Sequence, residues 1–436
     1  MQDYFDNLIS YIIYMDLHRF VRVFWFFIIF EGARYYIVDM FVLICWKIKG
    51  YFQRNDVLNA RKSLWKEQPL ISIIIPGKNE GEHIYKLAIS LKEQTYQNFE
   101  IIVIDDGSDD LTPIIGSNLK NLGYIHMFIR NDVRGGKASA ANLGMRYAKG
   151  KYIIHLDADC SYDRDAIENV LIPFYQYENI GAVGGNVQVR NYDKSICTRL
   201  QAIEYANSIS IGRIVNSELG ILRIISGAFG AFRRDLLDRL GSWDIGPGLD
   251  GDITVKIRKL GYQIKFAPDA VCQTSVPDTF TKLRKQRLRW DKSLIRFRVR
   301  KHKDVMFPNK NFRFSNFFSF AENITYNLIL NAKWYVYIMD IIFNITSMVQ
   351  IVFGLNLIIY TISNMLKYIL FSMFRSRKNA PVTYFIPYLP LMVIYYGYFL
   401  RLVRTTAYLQ EIFFRASYND SWNPQKSSKY AKLLRI

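Results

Sequence analysis

Apolar residues follow two patterns along this chain. Between residues 70 and about 300 they come in short β-branched runs: LISIIIPG, FEIIVIDDGSDD, KYIIHLDADC and IGAVGGNVQV. Runs of this length, ended by Pro-Gly or by acidic turn residues, predict buried strands. Helical periodicity fills 81–95 and 138–149 between them. Strands alternating with helices predict an α/β domain around a mixed, mostly parallel sheet. Outside this domain the apolar runs lengthen. Val21 to Trp46 is long enough to span a bilayer, although it carries Arg22, Glu31, Arg34 and Asp39, which are costly in lipid. An interfacial helix is expected before it, at 7–18. Residues 334–362 and 384–403 are further span candidates, and 316–333 reads as an interfacial helix or another span. Pro387 and Pro390 break the last run into a re-entrant pair, and the basic stretch KYILFSMFRSRKNA is expected as a cytoplasmic loop. The chain therefore divides into an N-terminal membrane or interfacial segment (1–50), a cytosolic α/β domain (70–300), α-helical transmembrane and interfacial segments (313–415) and a basic cytosolic tail (416–436).

Composition narrows the partners. Half of the 436 residues are hydrophobic and 15% aromatic, which excludes a disordered chain. The formal charge of +19 suits nucleic acid, an anionic bilayer or a phosphorylated substrate. The long apolar runs favour the last two, and no nucleic-acid-binding signature is present. The four cysteines are scattered singly with no CxxC pair, which suggests neither a disulfide framework nor a zinc site and fits a reducing compartment.

Candidate chemistry sits at the strand ends. Asp105 and Asp106 follow the second apolar run, and Asp157 and Asp159 follow the third. Ligands of open α/β sheets bind at the carboxyl ends of strands. An Asp-x-Asp there offers two carboxylates to a hard divalent cation, which completes its shell with water and substrate phosphate. Gly135 and Gly136 allow close backbone approach, and Lys137 opens a helix whose N-terminus favours a diphosphate. Near residue 290 stands KLRKQRLRWDK, a basic run holding one tryptophan.

The order IIPGKNE, VIDDGSDD, GGKASAAN, LDADC, SGAFGAFRR, LDGDIT, QRLRW, flanked by apolar segments, resembles the processive family 2 glycosyltransferases, which include cellulose, hyaluronan, chitin and poly-N-acetylglucosamine synthases. The resemblance implies a GT-A domain on the cytoplasmic face of the cell membrane, in a multi-pass protein. It implies that Asp105 and Asp106, with Pro76, Lys78 and Glu80, hold the uridine of a UDP-sugar donor, and that Lys137 meets its diphosphate. Asp157 and Asp159 match the motif that binds the nucleotide and its Mg2+ or Mn2+, Asp159 foremost as the metal ligand. Asp250 matches the catalytic base, with Asp252 as the alternative because Leu249 departs from the usual acidic or threonine residue. Ser226 and Gly227 match the segment that contacts the acceptor. Gln286, Arg287, Arg289 and Trp290 match the Q-x-x-R-W signature, its arginine at the diphosphate and its indole under the terminal sugar of the growing polysaccharide. His155, inside the strand, reads as structural.

The resemblance thus implies inverting polymer elongation at the bilayer, and leaves room for an accessory export or regulatory subunit. The expected donor is UDP-glucose, for a β-glucan exopolysaccharide. A non-processive enzyme acting on a lipid acceptor and an inactive export channel or scaffold are the competing readings. Q-x-x-R-W opposes the first and the full acidic set opposes the second.

Overall fold

The computed structural model describes residues 27–244, 248–309, 312–344, 349–375 and 382–419, with a few isolated positions before residue 17. Most of the expected 7–18 helix, the start of the 21–46 run and the tail from 420 lie outside the described residues. Eight strands form one sheet: β1 (Ile71–Gly77), β2 (Phe99–Asp105), β3 (Met127–Arg130), β4 (Tyr152–Leu156), β5 (Cys160–Tyr162), β6 (Ile180–Val189), β7 (Phe229–Arg233) and β8 (Gln263–Thr274), in the order β3-β2-β1-β4-β7-β6-β8-β5. β1 runs parallel to β2 and β4, and β2 to β3. β7 is antiparallel to β4 and β6, and β8 is parallel to β6 but antiparallel to β5. The chain thus folds as a GT-A domain with a mixed, mostly parallel sheet.

Both faces of the sheet are covered. Ile71, Ile73 and Ile75 join one core and Ile74 the other, each at most 1% exposed. Burying each isoleucine contributes roughly 1.5–3 kcal/mol. Helix α1 (Gly81–Lys92) buries Ile84, Leu87, Ala88 and Leu91, one face at helical spacing, in the first core. Helix α2 (Lys137–Tyr147) lays Ala138, Ala140, Ala141 and Met145 against Ile74, Ile102 and Ile104. A Cβ at Gly144 would lie 2.7 Å from both Ile74 and Ile104, so glycine lets α2 settle close to the sheet.

Four further helices frame the site: α3 (Leu249–Lys259), α4 (Phe280–Ser293), α5 (Phe314–Ile324) and α6 (Val349–Phe374). Among the described residues, α6 alone is long and apolar enough to cross a membrane. Its 26 residues rise about 39 Å. The sequence-based boundaries change here. The 334–362 run divides between Leu330–Asn344 and the first half of α6. Lys367 to Phe374, expected as loop, continues α6, because one polar residue in an apolar helix does not end it. The last run does break at its prolines: turns at Val382–Tyr388 precede a helical stretch from Leu391 to Phe414. In the N-terminal run, the costly Arg34 pairs with Asp39 and, at 2.6 Å, with Glu322.

Candidate active site

Parallel pairing brings the carboxyl ends of β1, β2 and β4 to one edge. β1 and β4 part after Ile74↔His155, two residues before Pro76, whose ring nitrogen carries no ladder donor. The strand order reverses at β1, with β2 on one side and β4 on the other, so the edge opens into a crevice there. The acidic residues line it. β7 starts beside the end of β4, with Leu156 opposite Phe229, which carries Ser226 and Gly227 to the same edge.

On the β2 side, the structure stitches loops together. Both oxygens of Asp106 accept backbone N–H groups, from Gly135 at 2.8 Å and Gly136 at 2.7 Å. Asp105 accepts from the amide of Ser108 at 2.9 Å. Lys78 donates to the carbonyl of Gly107 at 2.8 Å and pairs with Asp109 at 3.0 Å. Asp106 thus holds the Gly135–Gly136 turn that presents Lys137, and Lys78 closes the neighbouring loop.

On the β4 side, the charged groups converge. Lys137 forms an ion pair with Asp157. Burial works against its ammonium, but Asp157 and Asp250 outweigh it and hold the pKa above the usual lysine value. Burial, then Asp157, raises Asp159. Burial with repulsion from Asp159 and Asp157 pushes Glu80 up to about 8, so Glu80 shares the field of the Asp-x-Asp. Asp250 stands at the start of α3 and feels Lys137 and Asp157; burial raises its carboxyl, Lys137 opposes. Gly227 faces it so closely that a Cβ there would sit 2.6 Å from Oδ1. The carbonyl of Gly227 meets Nδ1 of His155 at 2.7 Å, and burial lowers His155 to about 4. That imidazole is a neutral brace beneath the site.

Asp252 is committed elsewhere. It accepts from His302 Nε2 at 2.7 Å and Lys301 at 2.6 Å, one helical step away from the acidic cluster. Among the described residues no three metal-ligating side chains gather closely enough to hold an ion alone. The mutual repulsion of Asp157, Asp159 and Glu80 nonetheless fits a cation whose remaining ligands are water and donor phosphate.

The QRLRW residues of α4 make a second cluster. Arg287 is buried and pairs with Glu204 at 2.9 Å, and Tyr395 donates to the same carboxylate at 2.6 Å. Its guanidinium lies 4.4 Å over the ring of Trp290, which is 38% exposed. Arg287 therefore anchors α4 and covers the indole. Arg289 is half-buried, and Gln286 Oε1 is buried without a hydrogen-bond partner among the described residues. Tyr205 lies within the fields of Arg287 and Glu204 on one side and Arg213 on the other, and Arg213 in turn feels Asp250. Beside Tyr205 a cavity of about 250 Å³ opens between β6, β8 and the end of α6, lined by Tyr192, Tyr368, Phe371, Phe385 and Arg190. Arg190 donates to the carbonyl of Asp159 at 2.9 Å. Glu204, Tyr205, Arg190 and Arg213 belong to no motif, and no sequence signal marks them.

A poly-beta-1,6-N-acetyl-D-glucosamine synthase of Staphylococcus epidermidis is 34% identical over 259 residues, 58% of this chain and 62% of that protein. Its Staphylococcus aureus counterpart is 34% identical over 270 residues, again 58% and 62%. The match thus spans under two-thirds of these relatives' own length. Their names lend no support to the expectation of UDP-glucose and a β-glucan, which the SGAFGAF lettering left undetermined. The mannosyltransferase PcManGT from Pyrobaculum calidifontis, solved with GDP-Man and Mn2+, shares the fold with a TM-score of 0.55 and 18% identity, over 86% of this chain and 99% of that one. Residues 72–241 match the family described as Glycosyl transferase family 2.

Proposed function

We propose that this protein is a membrane-anchored, processive, inverting glycosyltransferase that extends an N-acetylglucosamine polymer from UDP-N-acetylglucosamine. The observation that carries this reading is the grouping of Asp250 with Lys137 and Asp157 at the mouth of the β1–β4 crevice, under Gly227. The donor sugar follows from the relatives' names. The helix α6 supplies the anchor, and the catalytic domain faces the cytosol, where sugar nucleotides are made.

Asp250 acts as general base. Its buried carboxyl is more basic than usual, which moves it toward the operating pH. It takes the proton of the acceptor hydroxyl, whose oxygen attacks the anomeric carbon as the bond to UDP breaks. The electron pair leaves on the diphosphate. Lys137, held charged by Asp157 and Asp250, stabilises that leaving group. Asp159 and Asp157 would hold Mg2+ or Mn2+, which adds positive charge at the diphosphate when bound. The aromatic cavity beside Tyr205 offers ring faces to the C–H faces of sugars, a path for the elongating chain.

The test is incubation of the full chain in lipid vesicles with UDP-N-acetylglucosamine or UDP-glucose, reading UDP release and product length. Polymer from the first donor, absent in Asp250→Asn, is expected. Transfer of one sugar only, or equal polymer from Asp250→Asn, overturns the reading.

A further inference from the structure

A second charged cluster lies away from the crevice. It forms where the C-terminal end of α3, the segment following α4 and helix α5 meet. Arg258 is fully engaged: Nε donates to Asn316 Oδ1 at 2.8 Å, Nη1 to the carbonyl of Leu222 at 2.7 Å, and Nη2 to those of Gly220 at 3.0 Å and Ser315 at 2.9 Å. Arg298 is not. It is 6% exposed, its Nη2 reaches only the carbonyl of Arg223 at 3.4 Å, and its Nη1 is buried with no hydrogen-bond partner among the described residues. Arg223 stands beside both. Its carboxylate neighbour, Glu322 at 3.7 Å, is closer to Arg34, at 2.6 Å. Burial and repulsion among the three lower Arg298 to about 9 and Arg258 to about 10.

The three guanidinium groups line a void of about 10 Å³, closed by Asn316, Ser319 and Phe320 of α5. Such a void has room for roughly one oxygen atom. The unpartnered Nη1 of Arg298, in a cluster of three guanidinium groups around an oxygen-sized void, suits a phosphate: one oxygen enters and the rest of the group stays at the mouth. Planar guanidinium groups suit it better than an ammonium would. We propose that Arg223, Arg258 and Arg298 form a binding site for a phosphate oxyanion, distinct from the donor site. Asp250 and Arg258 stand at opposite ends of α3, eight residues apart, which is about 12 Å along the helix. Two sources share this chemistry. The opposite face of α5 exposes Phe314 and Phe318, as a helix lying at a bilayer surface does, so the phosphate is that of an anionic lipid headgroup or of a free phosphate compound.

The test uses the full chain in phosphatidylcholine nanodiscs, with phosphatidylglycerol in the lipid or inorganic phosphate in the buffer as the two probes, at constant ionic strength. The thermal midpoint is read as a function of probe. A rise with phosphatidylglycerol assigns the site to lipid, and a rise with phosphate in pure phosphatidylcholine assigns it to a free compound. In either case Arg298→Gln should weaken the response tenfold or more, the loss of one charge-assisted contact. Arg223→Gln, at a less buried side chain, should weaken it likewise and decides the matter if Arg298→Gln fails to fold. No rise with either probe, or variants that respond like the parent, overturns the proposal. The readout does not depend on sugar transfer, so it stands apart from the proposed activity.

Discussion

Gly227→Ala is the sharpest test of where the base sits. Gly227 does not occupy the left-handed region, so alanine meets no backbone penalty. Its cost is local. The new Cβ would stand 2.6 Å from Oδ1, 2.7 Å from Oδ2 and 2.9 Å from Cγ of Asp250, against about 3.4 Å for ordinary contact. The carboxylate must therefore retreat by about 0.8 Å, the difference between 3.4 and 2.6. Misplacing a reacting group by 1 Å costs roughly 10²-fold, or about 2.7 kcal/mol of barrier. The expected result is a roughly hundredfold fall in turnover with UDP-N-acetylglucosamine, with UDP affinity, measured calorimetrically, within a few-fold of the parent. Donor binding is spared because the three atoms nearest the new methyl all belong to Asp250. Near-parental turnover would refute the assignment of Asp250 to the acceptor side, and an equal loss of UDP affinity would refute the separation of base from donor site.

Three further outcomes are expected. Burial alone would raise Asp252, but hydrogen bonds from His302 and Lys301 outweigh it and hold the carboxyl at about 2, against 3.8. A depressed folded pKa gives stability that is present above about pH 4 and lost as pH falls toward about 2, here about 2 kcal/mol; Asp252→Asn should flatten that part of the stability–pH curve, and an unchanged curve would remove the clamp. Asp159→Ala should weaken UDP binding in Mg2+ or Mn2+ but leave metal-free binding nearly unchanged, as titration with and without chelator would show. Trp290→Ala should shorten polymers while UDP release by donor hydrolysis persists, and a parallel loss of both would count against the indole as a glycan contact.

The legible parts of the fold are those in which side-chain chemistry and chain direction coincide. β1, β2, β4 and β6 read from their isoleucine and valine runs because both their faces are buried. β5 is three residues long, and β8 carries Pro268 and polar positions, so neither declares itself. Strand direction was hidden too: the antiparallel β7 is as apolar as its parallel neighbours. At the site, Asp105, Asp157, Asp159 and Lys137 stand out in the sequence because strand ends and helix starts constrain where they point. The internal partners of Asp106 and Arg287 do not, because the Gly135–Gly136 amides and Glu204 lie far off in sequence. The helical boundaries after residue 313 were obscured by uniform apolarity, which carries length but no period.

The base helix belongs to two environments, and this bears on how elongation is controlled. The donor side of the crevice is built from β1, β2, β4 and α2, all contiguous within the sheet. α3 packs Ile253 and Ile257 into the same core as α2 and is tied as well to α4 and the segments that follow it. At its start, Gly248 adopts φ +84° and passes so near α4 that a Cβ would meet Ser293 at 2.5 Å. In its first turn Asp252 bonds Lys301 and His302, and at its end Arg258 bonds Asn316 of α5. On the proposed assignment of Asp250 as base, a shift of α4 or α5 would reach Asp250 through these ties, whereas Lys137 and Asp157 are carried by α2 and the end of β4. Proton abstraction would then respond to these helices separately from donor capture.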